Sequence, residues 1–281
     1  MNEKSLAAVD AELANRFGDY AGFETAVSPT LDFYGNDPNK EFKRLLIGYL
    51  KPDSSVLDLG CGAGQTICQI APQVNEVWGF KQEPALLAGA KQRVAEFGFE
   101  NATFIEGNVA VPEDMQTLPD NHFDLIFSER GPDLNDSLIS KLKPGGYFLQ
   151  ERVSQFDGFH FREFLGRRPF TSYAFGNLNL LDLMRMQLAN LGIRPVSLHE
   201  FFFDAFYRDL AHLEAYLKQV PATLSYWRIR QKPYLPDQDR AALEHYAQYN
   251  QTSRGIRLLR HRIIYIGRKE PIHYYPVDMN T

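Results

Sequence analysis

A short apolar strand that runs directly into a glycine-rich turn constrains this chain more than any other feature. Residues 56–59 read Val-Leu-Asp-Leu, and Gly60, Gly62 and Gly64 follow at alternate positions before a helical stretch. Glycines at such a turn let the backbone approach a ligand closely, because no Cβ intervenes, and they aim the free N–H groups of the next helix at it. The turn predicts a parallel α/β unit with a nucleotide-like ligand at the carboxyl end of this strand.

Short apolar runs and helical stretches alternate along the first half of the chain. Apolar runs predict strands over 55–59, 76–80, 102–105, 123–127 and 147–150. The stretches between them carry helical periodicity, most clearly from Pro84 to Gly98. Such alternation is typical of parallel βαβ units with helices on both faces of the sheet. We therefore predict a doubly wound α/β fold.

The remaining segments complete a four-part organisation. Apolar residues at steps of three and four predict an N-terminal helix from Leu6 to Phe17. The chain then divides into an N-terminal helix and lid segment (1–37), an α/β core (38–153), late core elements with cap insertions (154–257), and a last strand and tail (258–281). Within the third part we predict a helix over 178–192, a strand over 195–203, and cap insertions over 154–176 and 204–257.

Composition and charge exclude several classes of protein. No apolar run reaches the roughly 18 residues that span a bilayer, so we expect a cytoplasmic protein without membrane contact. The two cysteines and the spacing of the acidic and histidine residues favour neither disulfides nor a metal site. The net charge of −5 argues against wholesale binding to a polyanion, although residues 225–281 alone carry ten basic and five acidic side chains.

The spacing of the turn narrows the choice of ligand. The dinucleotide fingerprint is G-x-G-x-x-G, whereas here the third glycine comes one residue early and Asp58 stands two residues before the first. A carboxylate at this place repels a pyrophosphate and suits a cationic or zwitterionic ligand. S-adenosylmethionine, which carries a sulfonium and an ammonium group, is such a ligand.

On these residues the chain resembles the class I S-adenosylmethionine-dependent methyltransferases. Asp58 with the three alternating glycines matches the family's first motif, Phe123-Asp124 opens the matching fourth strand, and residues 142–146 match the turn before the fifth. The resemblance covers about residues 38–153. It implies a Rossmann-like, mostly parallel sheet of seven strands with a helical and aromatic cap inserted around the late strands. It also implies S-adenosylmethionine as cofactor and S-adenosylhomocysteine as product.

The resemblance assigns cofactor contacts residue by residue. The loop Gly60, Cys61, Gly62 and Gly64 is expected to hold the methionyl part through its backbone, with Asp58 on the amino group. At the ribose position, where the family usually has an acidic residue, this chain has Lys81, so Gln82 or Glu83 is the alternative contact. An Asn108 side-chain oxygen and the Val109 N–H are expected at the adenine. Ser128, at the end of the fourth predicted strand, completes the set.

Candidate catalytic residues come from two places. Residues 128–132 read Ser-Glu-Arg-Gly-Pro, without the Asn-Pro-Pro-Tyr or Pro-Cys signatures of enzymes that modify amino groups or cytosine. Glu129 is a candidate general base, and Arg130 a candidate partner for a substrate carboxylate or phosphate, unless the two belong to local ion pairs. Tyr20 and Tyr34, in the predicted lid, are the other catalytic candidates.

The substrate remains open at this stage. The aromatic cap favours a small, partly apolar molecule. The alternative is an RNA or protein methyltransferase that uses the basic C-terminal region, although we expect that region to form a solvated rim. Lys81 also leaves open an NADP-dependent oxidoreductase, and a methyltransferase-like fold without activity is the last alternative. The basic residues in question are Arg228, Arg230, Lys232, Arg254, Arg257, Arg260, Arg262, Arg268 and Lys269.

Overall fold

One mixed β-sheet forms the framework of the part of the chain that the structure describes. The computed structural model describes residues 5–154, 156–166, 180–220, 223 and 233–270, without the side chains of residues 19, 20 and 180. Nine strands in these ranges join the sheet: β1 Thr30–Phe33, β2 Ser55–Leu59, β3 Glu76–Lys81, β4 Ala102–Glu106, β5 Phe123–Glu129, β6 Leu142–Val153, β7 Ile193–Tyr207, β8 Gln251–Thr252 and β9 Gly255–Lys269. Their order is β1-β7-β9-β6-β5-β2-β3-β4, with β8 paired to β9.

Helices cover both faces of this sheet. They are α1 Leu6–Phe17, α2 Pro38–Tyr49, α3 Gln65–Ile70, α4 Pro84–Phe97, α5 Pro112–Met115, α6 Asp136–Lys141, α7 Phe159–Phe164, α8 Leu180–Asn190, α9 Leu210–Gln219 and α10 Pro236–Asn250, with short 3-10 turns at Gly18–Ala21 and Ala71–Gln73. The local sequence sets several of their ends. The Asp37 side chain accepts a hydrogen bond from the Asn39 N–H at the start of α2, and Gly98 ends α4 in a left-handed conformation.

The parallel strands lie between two apolar layers, as the doubly wound prediction requires. Strands β6, β5, β2, β3 and β4 are parallel neighbours. All five residues of β2 are buried. One layer packs Phe42 and Leu46 of α2 against this sheet, and the other packs Met184 and Leu188 of α8 on the opposite side. The predicted fold class is confirmed.

The sheet has nine strands where seven were predicted. Strand β1 lies within the predicted N-terminal helix and lid segment (1–37) and pairs antiparallel with β7. Its residues are mostly exposed, so an edge strand of this kind shows no apolar alternation in the sequence. The additional β8 is a two-residue partner of β9.

Strand β7 is also longer than predicted. It continues to Tyr207, so Phe206 is a strand residue, and α9 begins only after Asp209, whose side chain accepts a hydrogen bond from the His212 N–H. Residues 204–207 and 255–257 of the predicted cap insertion therefore belong to β7 and β9.

A third apolar cluster joins the late helices to the ends of the two long strands. It packs Phe161 of α7, Leu213 of α9 and Tyr246 of α10 against Leu258 of β9. This arrangement places α7 and α9 beside the end of the sheet at which the parallel strands finish. Among the described residues, no helix is long and apolar enough to cross a bilayer.

Candidate cofactor site and adjoining cleft

A large cleft opens at the carboxyl ends of β2, β5 and β6. Its volume is about 1550 Å³, which exceeds the roughly 300–1,000 Å³ typical of a site for one small ligand. The glycine turn and the end of β3 line one part, and the end of β6, α7 and β9 line the other. The cleft therefore has room for a cofactor and a second molecule side by side.

The glycine turn forms the floor of the first part. Gly60, Gly62 and Gly64 all have left-handed φ angles, of 84°, 54° and 80°. A Cβ at Gly62 would lie 3.6 Å from the Ala21 carbonyl oxygen and from Gln65 Oε1, at ordinary van der Waals distance, and Gly62 lines the cleft. The backbone at Gly62 is thus exposed to a ligand, as the sequence predicted.

Gly64, the third glycine of the turn, allows close packing between two helices. It does not line the cleft. A Cβ at this position would lie 3.0 Å from Ala90, so the glycine lets α3 pack closely against α4. The predicted direct cofactor contact of Gly64 is therefore not supported, and Gly64 shapes the turn from below.

Asp58 lies at the end of β2 with only 3% of its surface exposed, and it lines the cleft. Within the described residues its carboxylate has no hydrogen-bond partner. Burial raises the pKa of Asp58 well above its usual value, the neighbouring Glu129 raises it further, and Lys81 lowers it. A buried carboxylate without a donor fits a cationic group of a ligand, which is the chemistry that the ammonium of S-adenosylmethionine offers.

Lys81 and Gln82 line the cleft at the end of β3. Glu83 holds both side chains: Lys81 Nζ lies 2.8 Å from Glu83 Oε2, and Gln82 Nε2 donates to Glu83 Oε1 at 3.1 Å. The chain thus keeps a carboxylate beside the predicted ribose position, two residues later than the family usually has it. The positive charge of Lys81 is paired with it.

Asn108 and Val109 line the cleft where the adenine contacts were predicted. The Asn108 side-chain oxygen accepts a hydrogen bond from the Ala110 N–H at 2.9 Å, and the Asn108 N–H donates to Asp114. One lone pair of that oxygen is therefore used within the turn, and the other remains for a ligand.

Glu129 lies at the end of β5 and lines the cleft between its two parts. Burial raises the pKa of Glu129, Arg130 lowers it, and Glu151 raises it. Arg130 Nη2 lies 3.5 Å from Glu129 Oε1. A carboxyl group with a raised pKa at this place is suited to accepting a proton.

Ser128 does not line the cleft, so its predicted cofactor contact is not supported. It is fully buried, and its hydroxyl donates to the Pro132 carbonyl at 2.9 Å. A Cβ at Gly131 would lie 2.5 Å from the Leu59 carbonyl oxygen. The loop after β5 is therefore pressed against the glycine turn, and Ser128 helps to hold it there.

The N-terminal segment borders the site, as expected for a lid. Ala21 and Gly22 line the cleft, and Gln65 Nε2 donates to the Ala21 carbonyl at 3.4 Å. The side chain of Tyr20 lies outside the described part of the chain. Tyr34 does not line the cleft: its ring is 58% exposed, and its hydroxyl accepts a hydrogen bond from Arg257 Nη2 at 2.7 Å.

The second part of the cleft contains charged residues that were not predicted as site residues. Asp157, Arg162, Arg260 and Arg262 all line it, and all are buried. The expected solvated rim is therefore wrong for Arg260 and Arg262. The sequence does contain a sign of their burial. In the last strand, Arg260 and Arg262 alternate with the same period as Ile264, which places these arginines and a core residue on one face of the sheet.

Comparison with known proteins agrees with this geometry. Residues 50–165 match a family model described as a methyltransferase domain. The crystal structure of a putative methyltransferase from Bacillus halodurans C-125 shares the fold, with a TM-score of 0.55, 16% identity, and coverage of 83% of this chain and 100% of that one. Residues 50–165 of this chain match a methyltransferase domain. The recognition made from the sequence motifs is thereby confirmed.

Two curated relatives align with parts of the methyltransferase domain. A protein-L-isoaspartate O-methyltransferase of Myxococcus xanthus is 33% identical over 102 residues, which are 36% of this chain and 46% of that protein. A 23S rRNA (uracil(1939)-C(5))-methyltransferase RlmD of Xanthomonas axonopodis pv. citri is 36% identical over 69 residues, which are 25% of this chain and 15% of that protein. The chain thus covers less than half the length of either relative.

Proposed function

We propose that this chain is an S-adenosylmethionine-dependent methyltransferase that acts on a small, partly apolar molecule. The observation that carries the proposal is the buried carboxylate of Asp58, which lies beside the open backbone of Gly62 without a hydrogen-bond partner in the described residues. An uncompensated buried carboxylate is costly, and a cationic ligand offsets that cost.

The residues present fit S-adenosylmethionine along its whole length. Asp58 and the backbone of Gly60 and Gly62 would hold the methionyl part. Gln82, held by Glu83, would meet the ribose, and Asn108 with Val109 the adenine. When bound, the cofactor supplies an electrophilic methyl group on a positively charged sulfur.

The protein's own contribution is then positioning and proton handling. With S-adenosylmethionine bound, a hydroxyl or amine of the substrate would accept the methyl group that the cofactor supplies. The acceptor also loses a proton, and the Glu129 carboxylate is placed at the cleft wall to take it. Burial raises the pKa of Glu129, which strengthens it as a base.

The lining of the cleft favours a small substrate with an apolar portion. Beyond the cofactor part, Met184, Phe203 and Ile263 line the wall together with the charged residues. The helices α7 and α9 border this part, and Arg162 and Tyr216 are their lining residues. Apolar walls with a few fixed polar groups are typical of small-molecule sites.

An RNA or protein substrate is the second candidate, and the names of the two relatives favour it. However, several of the C-terminal basic residues that the structure describes are engaged within the protein. Arg257 Nε lies 2.8 Å from Asp204, Arg268 Nε donates to the Gly145 carbonyl at 3.1 Å, and Lys269 Nζ donates to the Leu142 carbonyl at 2.6 Å. Arg228, Arg230 and Lys232 lie outside the described residues.

The NADP alternative depended on Lys81 as a receptor for a 2′-phosphate. Glu83 Oε2 lies 2.8 Å from Lys81 Nζ, so a phosphate there would meet a carboxylate as well as an ammonium group. The close pair therefore removes the electrostatic advantage on which that alternative was based.

Ligand-dependent thermal unfolding tests the proposed cofactor directly. S-adenosylhomocysteine at about 100 times its dissociation constant adds roughly 2.7 kcal/mol to the free energy of unfolding. We expect such stabilisation with S-adenosylmethionine and S-adenosylhomocysteine and none with NADPH. Stabilisation by NADPH alone would indicate an oxidoreductase, and no response to millimolar amounts of any of the three would indicate a fold that has lost its cofactor.

Titration with RNA separates the two substrate classes. We expect the binding of labelled single-stranded RNA, followed by fluorescence anisotropy, to be no tighter than millimolar at physiological salt. Tight binding that weakens steeply as salt increases would contradict a small-molecule enzyme, since it would show that several phosphates are neutralised by the protein.

A further inference from the structure

The second part of the cleft contains a cluster of arginines that the proposed cofactor does not use. We call Arg130, Arg162, Arg260 and Arg262 the arginine lobe. They come from the end of β5, from α7 and from β9, and all four line the cleft. Their convergence from three separated parts of the chain means that the fold, and not one local motif, creates a positive site.

Two of these arginines are held by Asp157. Arg260 Nε donates to Asp157 Oδ1 at 2.8 Å and Arg260 Nη1 to Tyr216 Oη at 3.4 Å. Arg162 Nη2 donates to the Asp157 carbonyl oxygen. The His261 N–H also donates to Asp157 Oδ1, at 2.8 Å. Asp157 therefore fixes both arginines in place.

Arg262 is the third buried arginine of the lobe. It is 9% exposed and lies on the same strand face as Arg260, yet its Nε and Nη1 atoms have no hydrogen-bond acceptor among the described residues. Its guanidinium lies 5.8 Å from the centre of the Phe203 ring. Buried polar groups are normally paired, so a guanidinium with two idle donors on a cleft wall indicates a ligand acceptor.

The acidic groups around the lobe do not neutralise it. Glu129, Glu151 and Asp157 face Lys43 and the four arginines across this part of the cleft. Glu151 lies 3.5 Å from Arg130 Nε, and neither of its carboxylate oxygens has a hydrogen bond. Arg152, which also lines the cleft, is paired with Asp133 at 3.1 Å. Three acids against five bases leave a net positive charge in the lobe.

We propose that Arg262 binds an oxyanion of the methyl-accepting substrate, a carboxylate or a phosphate, while the apolar wall of Phe203 and Ile263 receives the rest of that molecule. The inference rests on the proposed function and deepens it, because it names the substrate class as a small, partly apolar acid. Guanidinium groups bind both oxyanions in a bidentate manner, so the two share one recognition chemistry.

The test compares small anions with a neutral molecule of similar size. Benzoate, phenyl phosphate and benzyl alcohol are titrated by calorimetry into the protein saturated with S-adenosylhomocysteine. We expect at least one of the anions to bind about tenfold or more tightly than benzyl alcohol, and the tighter of the two identifies the oxyanion. Equal affinity for all three molecules would overturn the proposal.

Variants assign the effect to Arg262. Arg262→Gln should remove the preference for the anion, whereas Arg268→Gln, on the same strand but outside the cleft, should retain it. If Arg262→Gln does not fold, Arg262→Met removes the charge while keeping the apolar stem. An anion preference that survives the loss of Arg262 would contradict its role.

The two proposals fail in distinguishable ways. Arg262→Gln is expected to bind S-adenosylhomocysteine with unchanged affinity, because residue 262 lines the second part of the cleft and the glycine turn lines the first. If the wild-type protein does not bind S-adenosylhomocysteine at all, the proposed function fails, and the same anion titrations without it still test the arginine lobe.

Discussion

Gly62→Ala is the substitution that separates cofactor binding from folding most cleanly. The new methyl group would stand on a turn that lines the cleft, with its nearest protein neighbours at an ordinary contact distance of 3.6 Å. It therefore makes no clash within the protein. It would occupy space that the proposed cofactor needs for contact with the backbone.

Two separate costs follow from this geometry. Placing alanine at a left-handed φ of 54° costs about 1–2 kcal/mol of stability, which corresponds to a decrease of roughly 2–8 °C in Tm for a chain of this size. Overpacking against the bound cofactor costs a further 1–3 kcal/mol or so. This second cost weakens the free energy of binding and leaves the stability of the free protein unchanged. We expect the affinity for S-adenosylhomocysteine to fall about five- to hundredfold.

Gly98→Ala provides the matched control. Gly98 also has a left-handed φ, of 71°, with nothing within 4 Å of its Cβ position, and it lies at the end of α4 outside the cleft. Calorimetric titration and thermal unfolding are measured for both variants. Both should lose similar stability, but only Gly62→Ala should lose affinity. Wild-type affinity in Gly62→Ala, or an equal loss in Gly98→Ala, would refute the reasoning.

Three further predictions concern a buried acid, a close backbone approach and a buried histidine. The pKa of Asp58 is raised in the folded protein, so the stability of the wild type should decrease as pH rises from 3.8 through that raised value. The Asp58→Asn variant should not show this decrease, and it should bind S-adenosylhomocysteine about tenfold more weakly. Thermal unfolding at several pH values and calorimetry measure the two effects, and an unchanged pH profile would contradict the first. Gly131→Ala should cost about 1–3 kcal/mol in urea unfolding, because its Cβ would lie 2.5 Å from the Leu59 oxygen, whereas Gly35→Ala, with open space around it, should cost little. Burial lowers the pKa of His261 to about 4, so the protein should lose at most about 3 kcal/mol of stability as pH falls from 6.5 toward 4. If a His261→Gln variant has the same acid sensitivity, another group is responsible.

The sequence was sufficient to predict the cofactor half of the molecule. There, the central strand β2 is buried on both faces and reads as a short apolar run, and the glycine turn after it has a spacing that few other structures require. The residues of Asp58, Gly62 and Asn108 were thus placed correctly on the cleft. Two of the predicted contact residues do not line the cleft. Gly64 and Ser128 belong to the motif but contact the protein, because sequence spacing does not distinguish a residue that touches a ligand from one that supports it.

The other half depends on long-range pairing that local patterns do not reveal. Strand β1 is recognisable only through its antiparallel register with β7, since its own residues are mostly exposed. Arg260 and Arg262 looked like a solvated rim because arginine is rarely buried. They are buried because β9 lies between β6 and β7 and directs them toward α7 and α9.

Hydrogen exchange measured with and without S-adenosylhomocysteine tests the central claim most directly. If the bare backbone beside Asp58 holds the cofactor, amides from Gly60 to Thr66 and at Val109 should become protected on binding, while those of α10 remain unchanged. Binding that leaves the exchange of these amides unaltered, or that protects a different part of the protein, would contradict the account.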